Sequence, residues 1–182
     1  LPICIDFILS STQKAWGLPA GFSIAAASDR FINRSKKIRN KGYILSVDTY
    51  EKYYFKNQTP YTPSIPHLFG LKKVLDIISQ EGLENRWERH KELAKLVREW
   101  AIKMGQSLYA EDQFLSDTVT SINNDMRWDI NAINERLLSR GFRMDRGYGD
   151  LKGEVFRIPH MGNIYAEDLL EYLNVFEECI DA

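Results

Sequence analysis

The spacing of apolar positions changes along this chain, and each change predicts an element. Ile5-Asp6-Phe7-Ile8-Leu9 is a short apolar run that predicts a buried strand, entered directly from Leu1-Pro2-Ile3. Ser10-Ser11-Thr12-Gln13 makes a polar approach, and Gly17-Leu18-Pro19-Ala20-Gly21 predicts a tight loop. Phe22-Ser23-Ile24-Ala25-Ala26-Ala27-Ser28 has the small apolar make-up of a central strand covered on both faces. Ser28-Asp29 predicts the cap of a helix from Arg30 to about Asn40, ended where Gly42 permits a turn and carrying cations in its last turn, where they suit the helix dipole. Asp48 to Phe55 predicts a helix packing Tyr50 and Tyr54 inward, and the prolines between Gln58 and Pro66 force an extended segment.

Leu68, Leu71, Leu75 and Ile78 recur at helical spacing up to Gly82, and Leu83 to Met104 predicts a longer helix. Trp87, Ala94, Val97 and Ala101 form one row of that helix, beside Leu93, Leu96 and Trp100. This helix pair predicts the connection between two domains, 1–81 and 82–182. The second domain reads as an α+β unit. Thr118 to Ile122 alternates as a strand, Asp129 caps a helix running to Ser139, and Phe142-Arg143-Met144 predicts a second strand. A glycine-rich hairpin, Gly147 to Gly153, leads into the strand Glu154 to Pro159, and Ala166 to Ile180 predicts a closing helix.

One side chain in this pattern is placed as a reagent. Lys14 stands between a strand and a tight loop, and an amine on the rim of a sheet, partly desolvated, can condense with an aldehyde to give a Schiff base. The segment Ser11-Thr12-Gln13-Lys14-Ala15-Trp16-Gly17-Leu18-Pro19-Ala20-Gly21 resembles the cofactor-lysine segment of class V aminotransferases, the group that includes the alanine-glyoxylate, serine-pyruvate and phosphoserine enzymes. Later segments fall into the family's order through the whole chain. The resemblance implies pyridoxal 5'-phosphate as cofactor and an α/β architecture: the C-terminal part of fold type I of the pyridoxal phosphate transferases, with the end of the large-domain sheet followed by a small α+β domain.

The resemblance also implies roles for particular residues. Lys14 would hold the cofactor and shuttle the proton, with Gln13 near the cofactor phosphate. Thr62, in Thr59-Pro60-Tyr61-Thr62-Pro63, would reach the phosphate in the partner subunit of a homodimer with shared active sites, with Thr59 or Gln58 as its companion. Arg157 carries an argument of its own. A guanidinium in the apolar strand Val155-Phe156-Arg157-Ile158 is costly to bury without an anion, and related enzymes grip the substrate α-carboxylate there. A salt bridge to Asp150 or Glu154 is the structural alternative. The expected substrates are alanine or serine with glyoxylate or pyruvate, a small amino acid and a 2-oxo acid. Phosphoserine aminotransferase is the nearest rival, with Arg143, Arg146 and Lys152 as candidate phosphate contacts, and a non-catalytic assembly domain is the third reading. Cysteine desulfurases fit less well, because Gln13 stands where they carry histidine and no cysteine occupies a suitable loop.

In the proteins it resembles, the cofactor lysine lies near the middle of a longer chain. Its early position, and the start at Leu1 without methionine, predict a C-terminal fragment, inactive alone, lacking the phosphate-gripping turn, the ring-stacking aromatic and the aspartate paired with the pyridine nitrogen. Composition narrows the remaining classes. The 24 Lys plus Arg against 25 Asp plus Glu leave no global field for nucleic acid or an anionic membrane. The basic run from Arg34 to Lys41 reads as a solvated helix end. Two cysteines, Cys4 in an apolar strand and Cys179 on a helix, fit a reducing cytoplasm rather than a disulfide framework. No apolar run has the length of a membrane span. His67, His90 and His160 have no metal-ligand spacing, and no metal is expected; Trp16 reads as packing against the loop.

Overall fold

Two antiparallel ribbons, one connected by the loop of Lys14 and one bearing Arg157, stand in a computed structural model that describes residues 4–181. The entry from Leu1-Pro2-Ile3 lies outside the described residues. Contacts divide the chain into two compact units, Leu1–Leu75 and Asp76–Ala182.

In the first unit β1 (Phe7–Ser11) pairs with β2 (Ser23–Ala27), Phe7 opposite Ala27 and Ser11 opposite Ser23. The strand starts and ends two residues later than predicted, because Ser10 and Ser11 find ladder partners in Ile24 and Ser23; Cys4 is exposed and lies before it. Asp6 ties the ribbon to the start of the next helix. Its carboxylate accepts from the Ser28 hydroxyl (2.7 Å) and the Arg30 guanidinium (2.5–2.9 Å), which hold it below the usual carboxylate range. The prediction of a strand covered on both faces fails within this unit. Among the described residues β1 and β2 pair only with each other, and Ile8, Leu9 and Ala25 to Ala27 are exposed.

Ser28 accepts from the Phe31 amide and caps α1 (Asp29–Ser35), which stops short of Asn40. Past its end Lys41 turns back, its ammonium donating to the Ser35 carbonyl and to the carboxylate of Asp48 in α2 (Val47–Tyr54), with Asn40 at φ +58°. Tyr50 and Tyr54 are exposed rather than inward, since α2 half-buries Val47, Thr49 and Tyr53 instead. The proline-rich segment is shorter than predicted. α3 (Ile65–Glu81) begins with Pro66 in its first turn, where a missing N–H costs nothing.

In the second unit α4 (Leu83–Lys103) buries Leu93, Ala94, Val97, Trp100 and Ala101. Trp87 leaves the predicted row and is exposed, because at that end the buried stripe runs through Arg86 and His90. Arg86 reaches Glu81 (2.8 Å) and Asn163, and His90 Nε2 accepts the Gly162 amide (3.1 Å). β3 (Val119–Asn123) pairs with a later strand, Val155–Pro159, which is β4. Between them Asp129 caps α5 (Ile130–Ser139) through the Asn131 and Ala132 amides. Phe142 to Met144 is not a strand: Phe142 N–H donates to the Leu137 carbonyl and Met144 N–H to Asn134 Oδ1, which leaves Asp145 alone to bridge Arg157. α6 (Ala166–Asp181) closes the core, with Phe176 stacked on Phe156 at 5.7 Å and met edge-on by Trp100.

His160 is fully buried, its Nε2 2.9 Å from the Thr120 hydroxyl, and burial pushes its pKa down to about 4. The unfolded chain therefore takes up a proton near pH 6.5 that the folded chain refuses. Stability should fall as pH drops from 6.5 to about 4, by up to about 3 kcal/mol from this group. His90, also lowered by burial, adds to the fall, and Glu81, held low by Arg89, adds to it only below its ordinary value of 4.5. Urea titrations at pH 7 and pH 5 should show the loss, and His160→Gln should flatten it; an unchanged slope would show that His160 takes its proton in the folded chain.

Candidate functional site

β1 delivers the lysine loop. Directly after the strand Thr12 is fully buried; its amide donates to the Phe22 carbonyl (3.2 Å), and its hydroxyl lies 2.8 Å from the Pro19 carbonyl and 3.1 Å from that of Phe22. One side chain thus closes the base of the loop, because buried carbonyls left without donors would be costly. The Leu18 amide donates to the Thr12 carbonyl and the Gly17 amide to that of Lys14, so Lys14 sits on a turn rather than on a free tether. Trp16 is half-buried, and its Nε1 donates to the Ser10 hydroxyl at 2.8 Å.

Lys14 and Gln13 are both exposed, and no hydrogen bond or ion pair engages the Lys14 amine among the described residues. The partial desolvation expected of Lys14 is absent in this chain.

Thr59 and Thr62 are exposed as well. Thr59 lines a groove with Gly21, Phe22 and Ser23 on its other wall, so the structure brings the proline-rich segment beside the exit of the lysine loop. Thr62, Gln13 and Lys14 do not line that groove. The segment is held from behind where the Tyr43 hydroxyl donates to the Pro60 carbonyl at 3.0 Å.

In the second unit Arg157 faces the same side of its ribbon as Ser121, its register partner. It is half-buried, and its anion is Asp145, not Asp150 or Glu154: Nη2 to Oδ2 is 2.5 Å. The two residues also share a backbone bond, Arg157 N–H to the Asp145 carbonyl at 3.0 Å, while Asp145 Oδ1 accepts the Gly147 amide. Asp145 thus orients the guanidinium through one nitrogen. Arg157 Nε is buried and has no hydrogen-bond partner, a donor still awaiting an acceptor. Gly147 makes the geometry accessible: at φ +84° a Cβ there would run into the Val155 and Leu151 carbonyls. Of the other cations near the hairpin, Arg143 and Lys152 are exposed, and Arg146 donates to Asn131 at 2.8 Å.

Sequence reasoning missed Thr12 and Asp145. A threonine next to the lysine carried a weak signal, since a buried hydroxyl suits a loop rich in glycine and proline. Asp145 carried none, because the bridge that places it opposite Arg157 exists only once the hairpin folds. Among the described residues no group of three or more His, Cys, Asp or Glu side chains could hold a metal ion, and no helix is long and apolar enough to cross a membrane.

Comparison with known proteins gives a family match. The model of the aminotransferase class-V family matches residues 3–123. A serine-glyoxylate aminotransferase of Arabidopsis thaliana is 34% identical over 172 residues, covering 91% of this chain and 42% of its own length. Among solved structures, an alanine-glyoxylate aminotransferase from Nostoc sp. superposes with a TM-score of 0.88 at 27% identity, over 96% of this chain and 48% of that one. A phosphoserine aminotransferase from Cytophaga hutchinsonii superposes at 0.85 with 27% identity, over 96% and 49%. The chain spans less than half the length of the curated relatives it matches.

Proposed function

Because the chain belongs to the class-V aminotransferases, whose cofactor is pyridoxal phosphate, we propose that the complete protein transfers an amino group from alanine or serine to glyoxylate or pyruvate. The observation that carries this reading is Lys14: an exposed amine without a protein partner, on a loop that Thr12 locks from below. The donor set suits an aldehyde bearing a phosphate and a ring. A primary amine is available for the aldehyde, and the Gln13 amide and the Thr62 and Thr59 hydroxyls are available for phosphate oxygens.

Pyridoxal phosphate, when bound, supplies the electron sink that the protein lacks. Lys14 would anchor it and then take the α-proton of the amino donor and return it on the other side of the exchange. Arg157, steered by Asp145 and half-exposed, would take the substrate carboxylate with its guanidinium. Thr62 would serve the partner subunit's cofactor in a homodimer, which agrees with its exposure here.

Assay of the complete protein with alanine or serine against glyoxylate should give exchange, and phosphoserine with a 2-oxo acid should not, since Arg146 is engaged by Asn131 and neither Arg143 nor Lys152 is fixed. Preference for phosphoserine would move the assignment to the rival enzyme. Absence of cofactor binding in the complete protein would favour the assembly-domain reading. A second test addresses the shared site. Mixing a Thr62→Ala protein with a Lys14→Ala protein places both defects in one site of the heterodimer and leaves the other intact, so up to a quarter to a half of the activity should return, depending on exchange. Heterodimers without recovered activity would show that each site is built within one chain.

A further inference from the structure

His67 does more than begin a helix. It stands in the first turn of α3, directly after the proline-rich segment, and its ring reaches back to the lysine loop, 47 residues earlier in the chain. Nδ1 lies 2.8 Å from the Ser64 hydroxyl, and Nε2 lies 3.3 Å from the Ala20 carbonyl. The ring also stacks on Phe22, with centroids 5.2 Å apart and planes inclined by 28°. Gly21 gives it room: a Cβ at that position would come within 2.9 Å of His67 Cε1.

These contacts complete a set. Between residues 19 and 22 the Pro19 and Phe22 carbonyls are taken by Thr12 from the strand side, and the Ala20 carbonyl is taken by His67 from the helix side. A carbonyl only accepts, so Nε2 carries the hydrogen, and in the neutral ring Nδ1 is then free to accept from the Ser64 hydroxyl. One neutral tautomer therefore satisfies both neighbours. A helix cap would account for the Ser64 contact alone. It would not account for the Ala20, Gly21 and Phe22 contacts, which join the two segments that face each other across the groove.

We propose that His67 is a positioning residue that holds the lysine loop and the proline-rich segment at a fixed spacing, and through them sets the Lys14 amine of one active site relative to the Thr59 and Thr62 hydroxyls that serve the neighbouring one. The proposal rests on the cofactor reading of Lys14 for its consequence, but its geometry is independent of that reading. Three variants separate the contacts. His67→Gln can place an amide N–H at the Nε2 position and keep the Ala20 link, His67→Asn can keep only the Ser64 link, and His67→Phe keeps the ring on Phe22 without either hydrogen bond.

In the complete protein without cofactor, amide hydrogen exchange over residues 15–22 should stay near that of the unaltered protein in His67→Gln and rise in His67→Asn and His67→Phe. Titration with pyridoxal phosphate should show affinity falling by roughly three- to tenfold in the same two variants, the range of one lost hydrogen bond. The nitrogen chemical shifts of His67 in the unaltered protein should report the Nε2–H tautomer, a readout that needs no variant to fold. The opposite tautomer, or exchange over 15–22 that is the same in all three variants as in the unaltered protein, would overturn the proposal. Lys14→Ala separates the two claims: it should leave the exchange pattern intact, and a covalent cofactor adduct surviving in it would sink the reading of Lys14 while the exchange data still decide His67.

Discussion

Replacing Lys14 by alanine in the complete protein should abolish the covalent cofactor adduct and lower turnover by at least roughly 10²- to 10⁴-fold, the share carried by proton transfer alone. The expectation follows from position. Thr12 fixes the loop, the Gly17 amide closes a turn onto the Lys14 carbonyl, and the amine extends outward without a competing carboxylate. Arginine at this position should fail equally, because a guanidinium keeps its charge and offers no lone pair. Absorbance after dialysis against fresh cofactor measures the adduct, and steady-state assay measures turnover. Folding should be untouched, since an exposed side chain outside every packed cluster contributes little to stability.

Replacing Arg157 by lysine should cost roughly 2 to 5 kcal/mol of substrate recognition, read as a roughly 30- to 5,000-fold fall in kcat/KM for the amino donor. Charge is retained, but the planar fork and its unpartnered Nε are lost. Cofactor affinity should not change. Asp145→Asn should act in the same direction and more weakly, because it leaves the arginine in place and removes only the anion that steers it. An unchanged kcat/KM across several amino donors would make Arg157 a structural partner of Asp145, and the clamp would then be sought at Arg143 and Arg146.

The sequence carried the elements that depend on local chemistry. Asp129 at a helix start, the apolar stripe of α4 and the turn glycines around Lys14 all act within one or two turns of chain, so their pattern is visible in order. What was hidden depends on pairing between distant residues. Ser10 and Ser11 read as polar and irregular, yet the ladder with β2 makes them strand. Phe142 to Met144 alternates well enough for a strand, yet Asn134 and Leu137 take its amides first. The inward face expected for Tyr50 and Tyr54 and the covered faces expected for β2 fail for a related reason. Within the first unit the buried side chains among the described residues are Thr12, Ser46 and Val74. Lys14 and Arg157 stood out as candidates by residue type and setting, and Gln13 and Thr62 through the family resemblance, while the contacts of Asp145 and His67 became visible only in the fold.

The most direct measurement is borohydride reduction of the complete protein with pyridoxal phosphate, followed by digestion and mass mapping of the labelled peptide. The reduced cofactor should be found on Lys14 and on no other lysine, with the label lost in Lys14→Ala. A label on a different lysine, or full cofactor binding with no reducible adduct at Lys14, would contradict the assignment of this loop as the catalytic one.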